Sequence, residues 1–296
     1  MDRTEDFIDF AKSISQKISD TWAVQREDLL HHEVSGNKWR KLKYNVAHYF
    51  ANPQYKGIIT FGGAFSNHIL ATASACNHLK IPLLLVVRGE GGDSATLARC
   101  QELGARLHFV TRSAYREKAQ LYQDMQAIFP DYYLIPEGGA NYLGAQGCKE
   151  IYAQIQVDFE YLVCAVGTAT TVSGLALALQ PHQRILAVPV LKNAYFLRND
   201  FLANLRHFKA EHLAQQVDWA FDFHFGGYAK TTPELLSFVA NFNQVHHIPI
   251  EPIYTGKAFF AAHQLLKPQQ KVLLLHTGGA HGAQTSSVLI WHQRCF

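Results

Sequence analysis

A doubly wound α/β fold is predicted by three observations on this chain. Short, continuously apolar runs recur along it, and helical patterns alternate with those runs almost throughout. Strands without polar alternation are buried on both faces, as parallel strands flanked by helices are. Glycine-bearing turns follow several of the runs, which is where open α/β sheets place their ligands.

Gly57-Ile58-Ile59-Thr60-Phe61 is the first such run, followed by a glycine turn and a helix of small residues from about Asn67 to Leu79. Ile81 to Val87 precedes a helix from about Ser94 to Leu103. There Leu97, Cys100 and Leu103 share a face, and Gly104 ends the pattern. Arg106 to Val110 leads to a helix reaching Phe129, and Tyr132 to Ile135 starts another cycle. Tyr161 to Val166, Arg184 to Val190 and Lys271 to His276 continue the series. About eight or nine strands exceed one small sheet, so two α/β lobes are expected. No linker rich in Pro, Gly or Ser, no repeat and no low-complexity tract marks their boundary.

With 296 residues, 48% hydrophobic and 17% charged, the chain can bury a sizeable core. Its net charge of +3 is spread over mixed signs, and the basic cluster from Lys38 to Lys43 is too short for a nucleic-acid footprint. Cys76, Cys100, Cys148, Cys164 and Cys295 are widely spaced, with no CxxC or Cys/His ligand pattern, so buried reduced thiols and no metal are expected. The charged start, Met1 to Asp6, does not read as a signal peptide. The longest apolar run, Ile81 to Val87, is strand length and too short for a bilayer. A cytoplasmic protein without a membrane or nucleic-acid partner is expected. The His31-His32 and His246-His247 pairs read as surface residues.

Val34-Ser35-Gly36-Asn37-Lys38-Trp39-Arg40-Lys41-Leu42 is the most informative stretch. Lys38 falls just behind a Gly-Asn turn, at what reads as the first turn of a helix. The positive end of the helix, with Arg40 and Lys41, disfavours its ammonium form and should lower its pKa. Such a lysine condenses with aldehydes such as pyridoxal phosphate. Taken alone, the stretch fits an ordinary basic helix face better.

Four loops follow expected strands. Gly62-Gly63-Ala64-Phe65-Ser66-Asn67-His68 presents a hydroxyl, an amide and an imidazole at a helix start, and also fits a turn with an N-cap. Gly167-Thr168-Ala169-Thr170-Thr171 offers backbone N–H groups and hydroxyls to a phosphate, or is a plain strand-to-helix turn. It matches neither GxGxxG nor GxxxxGK[ST], which weakens nucleotide readings. His276-Thr277-Gly278-Gly279-Ala280-His281-Gly282 and Glu137-Gly138-Gly139-Ala140-Asn141 are glycine turns of the same kind. Tyr228, in Phe225-Gly226-Gly227-Tyr228-Ala229-Lys230, and Tyr254, in Glu251-Pro252-Ile253-Tyr254-Thr255-Gly256-Lys257, are candidate aromatic acids or bases. Packing is the alternative for both.

Together these pieces resemble the pyridoxal-phosphate enzymes of the 1-aminocyclopropane-1-carboxylate deaminase and D-cysteine desulfhydrase family. The resemblance runs in the family's order from Arg26-Glu27-Asp28-Leu29 to Gly279, through GNKxRKL, the SNH turn, YTGKA and HTGGA. It implies the tryptophan-synthase-β-like fold (fold type II of these enzymes), two α/β lobes with the cofactor between them. The smaller lobe would take residues 46–149, inserted in a larger one of residues 1–45 and 150–296. It also implies a homodimer.

By the same resemblance, Lys38 matches the lysine that holds pyridoxal 5′-phosphate covalently, and Lys41 a second basic residue near the phosphate. Asn67 matches the amide that bonds the ring hydroxyl, and Ser66 a substrate-facing hydroxyl, with His68 beside it. Gly167, Thr168, Ala169, Thr170 and Thr171 match the phosphate loop, although Ala169 and Thr170 depart from its glycine- and serine-rich versions. Tyr228 and Tyr254 match the active-site tyrosines, the surroundings of Tyr228 less closely.

Deaminases of this family carry Glu after the second tyrosine and Leu before the Gly-Gly turn, whereas desulfhydrases carry Ser or Thr at both. Here the residues are Thr255 and Thr277, the latter followed by Gly278, which favours the desulfhydrase side. A neutral hydroxyl cannot hold a protonated ring nitrogen as a carboxylate would, so the ring is the weaker electron sink. Elimination of a thiolate tolerates that better than opening a cyclopropane. The expected reaction is therefore α,β-elimination on D-cysteine, or a related D-amino acid with a β leaving group. The rivals are deamination of 1-aminocyclopropane-1-carboxylate and binding of the cofactor without turnover. Retention of Lys38, Ser66 and both tyrosines argues against the last of these.

Overall fold

The computed structural model describes residues 13–34, 36–91 and 94–279. Ser35, Cys295, the Met1–Asp6 start and the Ala280-His281-Gly282 end of one glycine turn lie outside the described residues.

Among the described residues, ten strands form two sheets. The larger sheet has the order β1 (Ser15–Lys17), β2 (Trp22–Arg26), β10 (Val272–His276), β7 (Tyr161–Val166), β8 (Arg184–Pro189) and β9 (Val217–Trp219). Only the β1–β2 pair is antiparallel. The smaller sheet is wholly parallel, in the order β5 (Arg106–Val110), β4 (Leu83–Arg88), β3 (Gly57–Gly63) and β6 (Tyr132–Ile135). The apolar runs read from the sequence are buried: Ile58, Ile59, Leu85, Val163 and Leu274 are each inaccessible to solvent.

Ten helices among the described residues cover the sheets. α1 (Asn37–Ala51) leads from the larger sheet to the smaller, and Trp39, Leu42 and Val46 on it join the smaller sheet's core. α2 (Asn67–Leu79) and α3 (Ala95–Glu102) follow β3 and β4, capped by the hydroxyls of Ser66 and Ser94. The helix expected up to Phe129 is two: α4 (Arg112–Arg116) and α5 (Lys118–Ile128), broken at Glu117. Tyr115, Leu121 and Met125 all pack into one cluster. Tyr115 and Leu121, six residues apart, would face different ways on a continuous helix, and the break lets both point inward. α6 (Tyr142–Lys149) packs against α1 and against α7 (Thr170–Ala176). α8 (Phe196–His207), α9 (Pro233–His246) and α10 (Thr255–Leu265) complete the larger sheet's cover.

The topology fixes where a ligand can bind. In the smaller sheet, the chain leaves β3 for β4 on one side and returns to β6 on the other. In the larger, β10 inserts between β2 and β7. Adjacent strands whose connections run in opposite directions leave a crevice at their carboxyl ends. The Ser66–His68 turn and the Glu137–Asn141 turn follow β3 and β6, and the Gly167–Thr171 and Thr277–Gly279 segments follow β7 and β10. All four loops lie at these carboxyl ends.

Candidate active site

Gly36 turns the chain into α1 with φ of +61°, and a Cβ there would run into the carbonyl of Thr277, so glycine is required. Its N–H donates to the Glu27 carbonyl (2.9 Å), and the Asn37 N–H donates to the Thr277 carbonyl (3.2 Å). The start of α1 is thereby tied to the ends of β2 and β10. Lys38 follows, half-buried, its Nζ donating to Asn37 Oδ1 at 2.7 Å. Asn37 Nδ2 in turn donates to Thr171 Oγ1 at 3.0 Å. Burial, and then the neighbouring Lys41 ammonium, push Lys38 down to about 7. The direction is the one expected from the sequence, with burial and Lys41 as its causes and no part played by Arg40. Its guanidinium is engaged by the buried Glu27 carboxylate at 2.8 and 3.1 Å.

Lys41, one turn further along α1, is buried, and burial lowers its pKa as well. Its Nζ donates to Thr168 Oγ1 at 3.1 Å, and Thr168 Oγ1 lies 3.4 Å from Thr170 Oγ1. Ala169 packs into the larger sheet's core, so only its backbone can serve a ligand. Gly167 lies under the ring of Tyr254, where a Cβ would come within 2.8 Å of Cε1. From the smaller sheet, Gly138 abuts the Thr168 methyl and Gly139 the Lys41 side chain. The two sheets' loops therefore meet around Lys41.

The other end of the site is a cleft lined by His32, Glu33, Lys38, Asn67, Leu70, Thr277 and Gly279. Asn67 opens α2, and its Nδ2 would lie 2.9 Å from a Cβ at Gly279. Ser66 caps α2, its Oγ accepting from the His68 N–H at 3.2 Å. His276 holds the last turn: its Nδ1 accepts from the Gly278 N–H (3.2 Å) and its Nε2 donates to the Pro249 carbonyl (2.8 Å). His68 itself turns its ring inward, behind Lys41 and Gly139, and is not among the residues lining the cleft. The hydroxyl of Thr60 has one proton and donates it to the Ile135 carbonyl (2.8 Å), so at 2.9 Å it accepts from His68 Nε2–H. His68 Nδ1 is then a bare acceptor, buried without a partner. Burial, followed by the charges of Lys38 and Lys41, pushes this imidazole down to about 3 and keeps it neutral.

Tyr254 and Thr255 are set by Glu251, a residue to which the sequence reading gave no role. Its buried carboxylate accepts from the N–H groups of Ile253 (2.5 Å), Tyr254 (3.0 and 3.1 Å) and Thr255 (2.7 Å) at the start of α10. An acid before a proline at a helix start was the available signal. The Tyr228 ring meets that of Tyr254 edge-on, centroids 5.9 Å apart. Burial, together with the charge and hydrogen bond of Tyr228, raises Tyr254 well above the usual phenol range. Tyr228 itself is 44% exposed.

Thr255 is fully buried, and its Oγ1 has no partner. An orphaned buried hydroxyl costs stability unless a ligand satisfies it. That hydroxyl, an amine near neutrality, an amide and a lysine–threonine cradle suit pyridoxal 5′-phosphate. The sequence profile of the pyridoxal-phosphate dependent enzymes matches residues 10–278. The chain belongs to that family.

The enzyme is 30% identical over 294 residues to a protein of Pyrococcus horikoshii provisionally named 1-aminocyclopropane-1-carboxylate deaminase, spanning 93% of this chain and 89% of that one. It is 27% identical to the bifunctional D-cysteine desulfhydrase/1-aminocyclopropane-1-carboxylate deaminase of Arabidopsis thaliana (88% and 72% covered). It is 26% identical to the D-cysteine desulfhydrase of Klebsiella pneumoniae (92% and 91% covered). A crystal structure of an ACC deaminase homologue superposes with a TM-score of 0.75 at 24% identity, covering 88% of this chain and 85% of that one. Its architecture is the tryptophan-synthase-β-like one, and its cofactor is pyridoxal 5′-phosphate. Among the described residues, no helix is long and apolar enough to cross a membrane.

Proposed function

We propose that the enzyme removes hydrogen sulfide and ammonia from D-cysteine, leaving pyruvate. The reading is carried by Thr255, a neutral hydroxyl without a partner, standing where family deaminases carry glutamate. Bound pyridoxal phosphate supplies an aldehyde carbon for the substrate amine and a conjugated ring that takes up electron density from Cα. Lys38 would hold it covalently, Lys41 and the Gly167–Thr171 loop would take its phosphate, Asn67 would bond the ring hydroxyl, and Thr255 and Thr277, with Gly278 alongside, would serve the ring nitrogen.

The residues of the chain then divide the proton work. The free Lys38 amine, with a pKa near 7, is placed to take the α-proton as a base. Tyr254 keeps its proton, because its pKa lies well above the ordinary range, so it serves as an acid. With Tyr228 and Ser66 it polarises or protonates the leaving thiolate. Ser66, Asn67 and the backbone at His68 receive the substrate carboxylate. Addition of one water to the three-carbon product releases ammonia and pyruvate, which balances the reaction.

The reading includes a cytoplasmic homodimer with a small amino acid as its partner. Cys76, Cys100, Cys148 and Cys164 are free and buried, which suits a reducing compartment. Cofactor-loaded protein given equal amounts of D-cysteine and 1-aminocyclopropane-1-carboxylate tests the activity. Pyruvate with sulfide is expected. 2-Oxobutyrate as the main product would make the enzyme a deaminase in spite of Thr255 and Thr277, and the names of the relatives leave that route open.

A further inference from the structure

The segment that carries Tyr228 is strained. Phe225 (φ +51°), Gly226 (+93°), Gly227 (+119°) and Ala229 (+55°) all have left-handed backbones, two of them without being glycine. Each non-glycine residue in that region costs on the order of 1–2 kcal/mol and persists only where its surroundings hold it. Two successive turns are formed here, Gly227 N–H to the His224 carbonyl (3.0 Å) and Lys230 N–H to the Gly227 carbonyl (3.1 Å). Tyr228 is the first residue inside the second turn.

One side chain holds both acceptors of those turns. Lys257 Nζ donates to the His224 carbonyl at 2.8 Å and to the Gly227 carbonyl at 2.7 Å. Lys257 has no solvent exposure and stands on α10 three residues after Tyr254, on the same side of the helix. Tyr254 meets the Tyr228 ring while Lys257 grips the backbone behind it. Burying an ammonium costs several kcal/mol, so an apolar side chain would fill this space at less cost to the fold. Burial holds the lysine down to about 8.

We propose that Lys257 is a positioning residue that clamps the double turn at 224–230 and thereby sets the Tyr228 hydroxyl against the substrate. This rests on the assignment of Tyr228 to the reaction made above. The sequence reading placed Lys257 inside a family motif but gave it no role.

The test is a double-substitution cycle on the cofactor-loaded enzyme, Lys257→Met with Tyr228→Phe, together with amide hydrogen exchange across residues 224–230. Lys257→Met is expected to lower kcat about tenfold with KM within about twofold, and to cost less than about twofold when Tyr228 is already Phe. Exchange at Gly226 to Lys230 is expected to quicken by about tenfold or more while α10 stays protected. Lys257→Gln keeps an N–H donor, so it should recover part of the loss. It replaces Lys257→Met in the cycle if the latter does not fold. Equal losses in both Tyr228 backgrounds, or unchanged exchange at 224–230, would overturn the proposal. The exchange readout does not depend on the substrate, so it stands apart from any failure of the D-cysteine assignment.

Discussion

Around Lys41, the lysine, amide and threonine side chains of the phosphate cradle already have partners. The Lys41 ammonium meets Thr168, and Asn37 meets Thr171. Around Thr255 the reverse holds: its hydroxyl is buried with nothing to bond. The first region is a cradle whose geometry is held by the protein itself, through loops of both sheets. The second keeps an unsatisfied hydroxyl inside the fold, which is how a site retains affinity for a ligand at the expense of stability. The difference teaches that the two ends should respond to substitution in opposite ways.

The largest effect is expected between these ends, at Lys38. Lys38→Ala should reduce turnover of the preferred amino acid by roughly a thousandfold, as loss of a positioned base does, with the fold intact by circular dichroism. Next comes Glu27→Ala on the cradle side. It leaves the buried Arg40 guanidinium with Gln154 at 2.8 Å and Glu150 at 4.0 Å in place of its buried carboxylate, and unfolding in urea should show a loss of about 3 kcal/mol. Thr255→Val, on the unsatisfied side, should go the other way. The protein without cofactor is expected to gain about 1 kcal/mol, and to bind pyridoxal phosphate several-fold more weakly. Equal losses in both forms would mean that Thr255 is an ordinary core residue.

A pH effect has a definite sign. The folded-state pKa of Lys38, near 7, lies below the ordinary value of 10.5, so the unfolded chain binds more protons between those limits. Stability of the protein without cofactor should therefore rise with pH from about 7 towards 10.5, and Lys38→Met should flatten that rise. Reaction of the Lys38 amine with an arylating reagent should have its midpoint near pH 7.

Much of the fold was legible because its central strands are continuous apolar runs. β2 escaped because it ends in Gln25 and Arg26, polar residues satisfied out of sight by Ser13, Ser15, Gln16 and Asp28. β1 and β9, three residues each, are too short to leave a period. Motif residues of the site were legible for the same reason that strands were, since their types and spacing are local. Glu251 and Lys257 were not, because what they hold is backbone. The Glu251 carboxylate collects N–H groups across a proline, and Lys257 reaches carbonyls some thirty residues away in the chain. The acid before a proline at Glu251 is a local cue, whereas nothing in the side-chain pattern marks the carbonyls that Lys257 holds.

Three lysines near this site have lowered pKa values, Lys38, Lys41 and Lys257, and each could in principle condense with an aldehyde. Reducing the cofactor-loaded enzyme with borohydride and locating the pyridoxyl group by peptide mass decides among them. The account requires the added mass on Lys38, lost in Lys38→Ala. The same mass on Lys41 or Lys257 would contradict it.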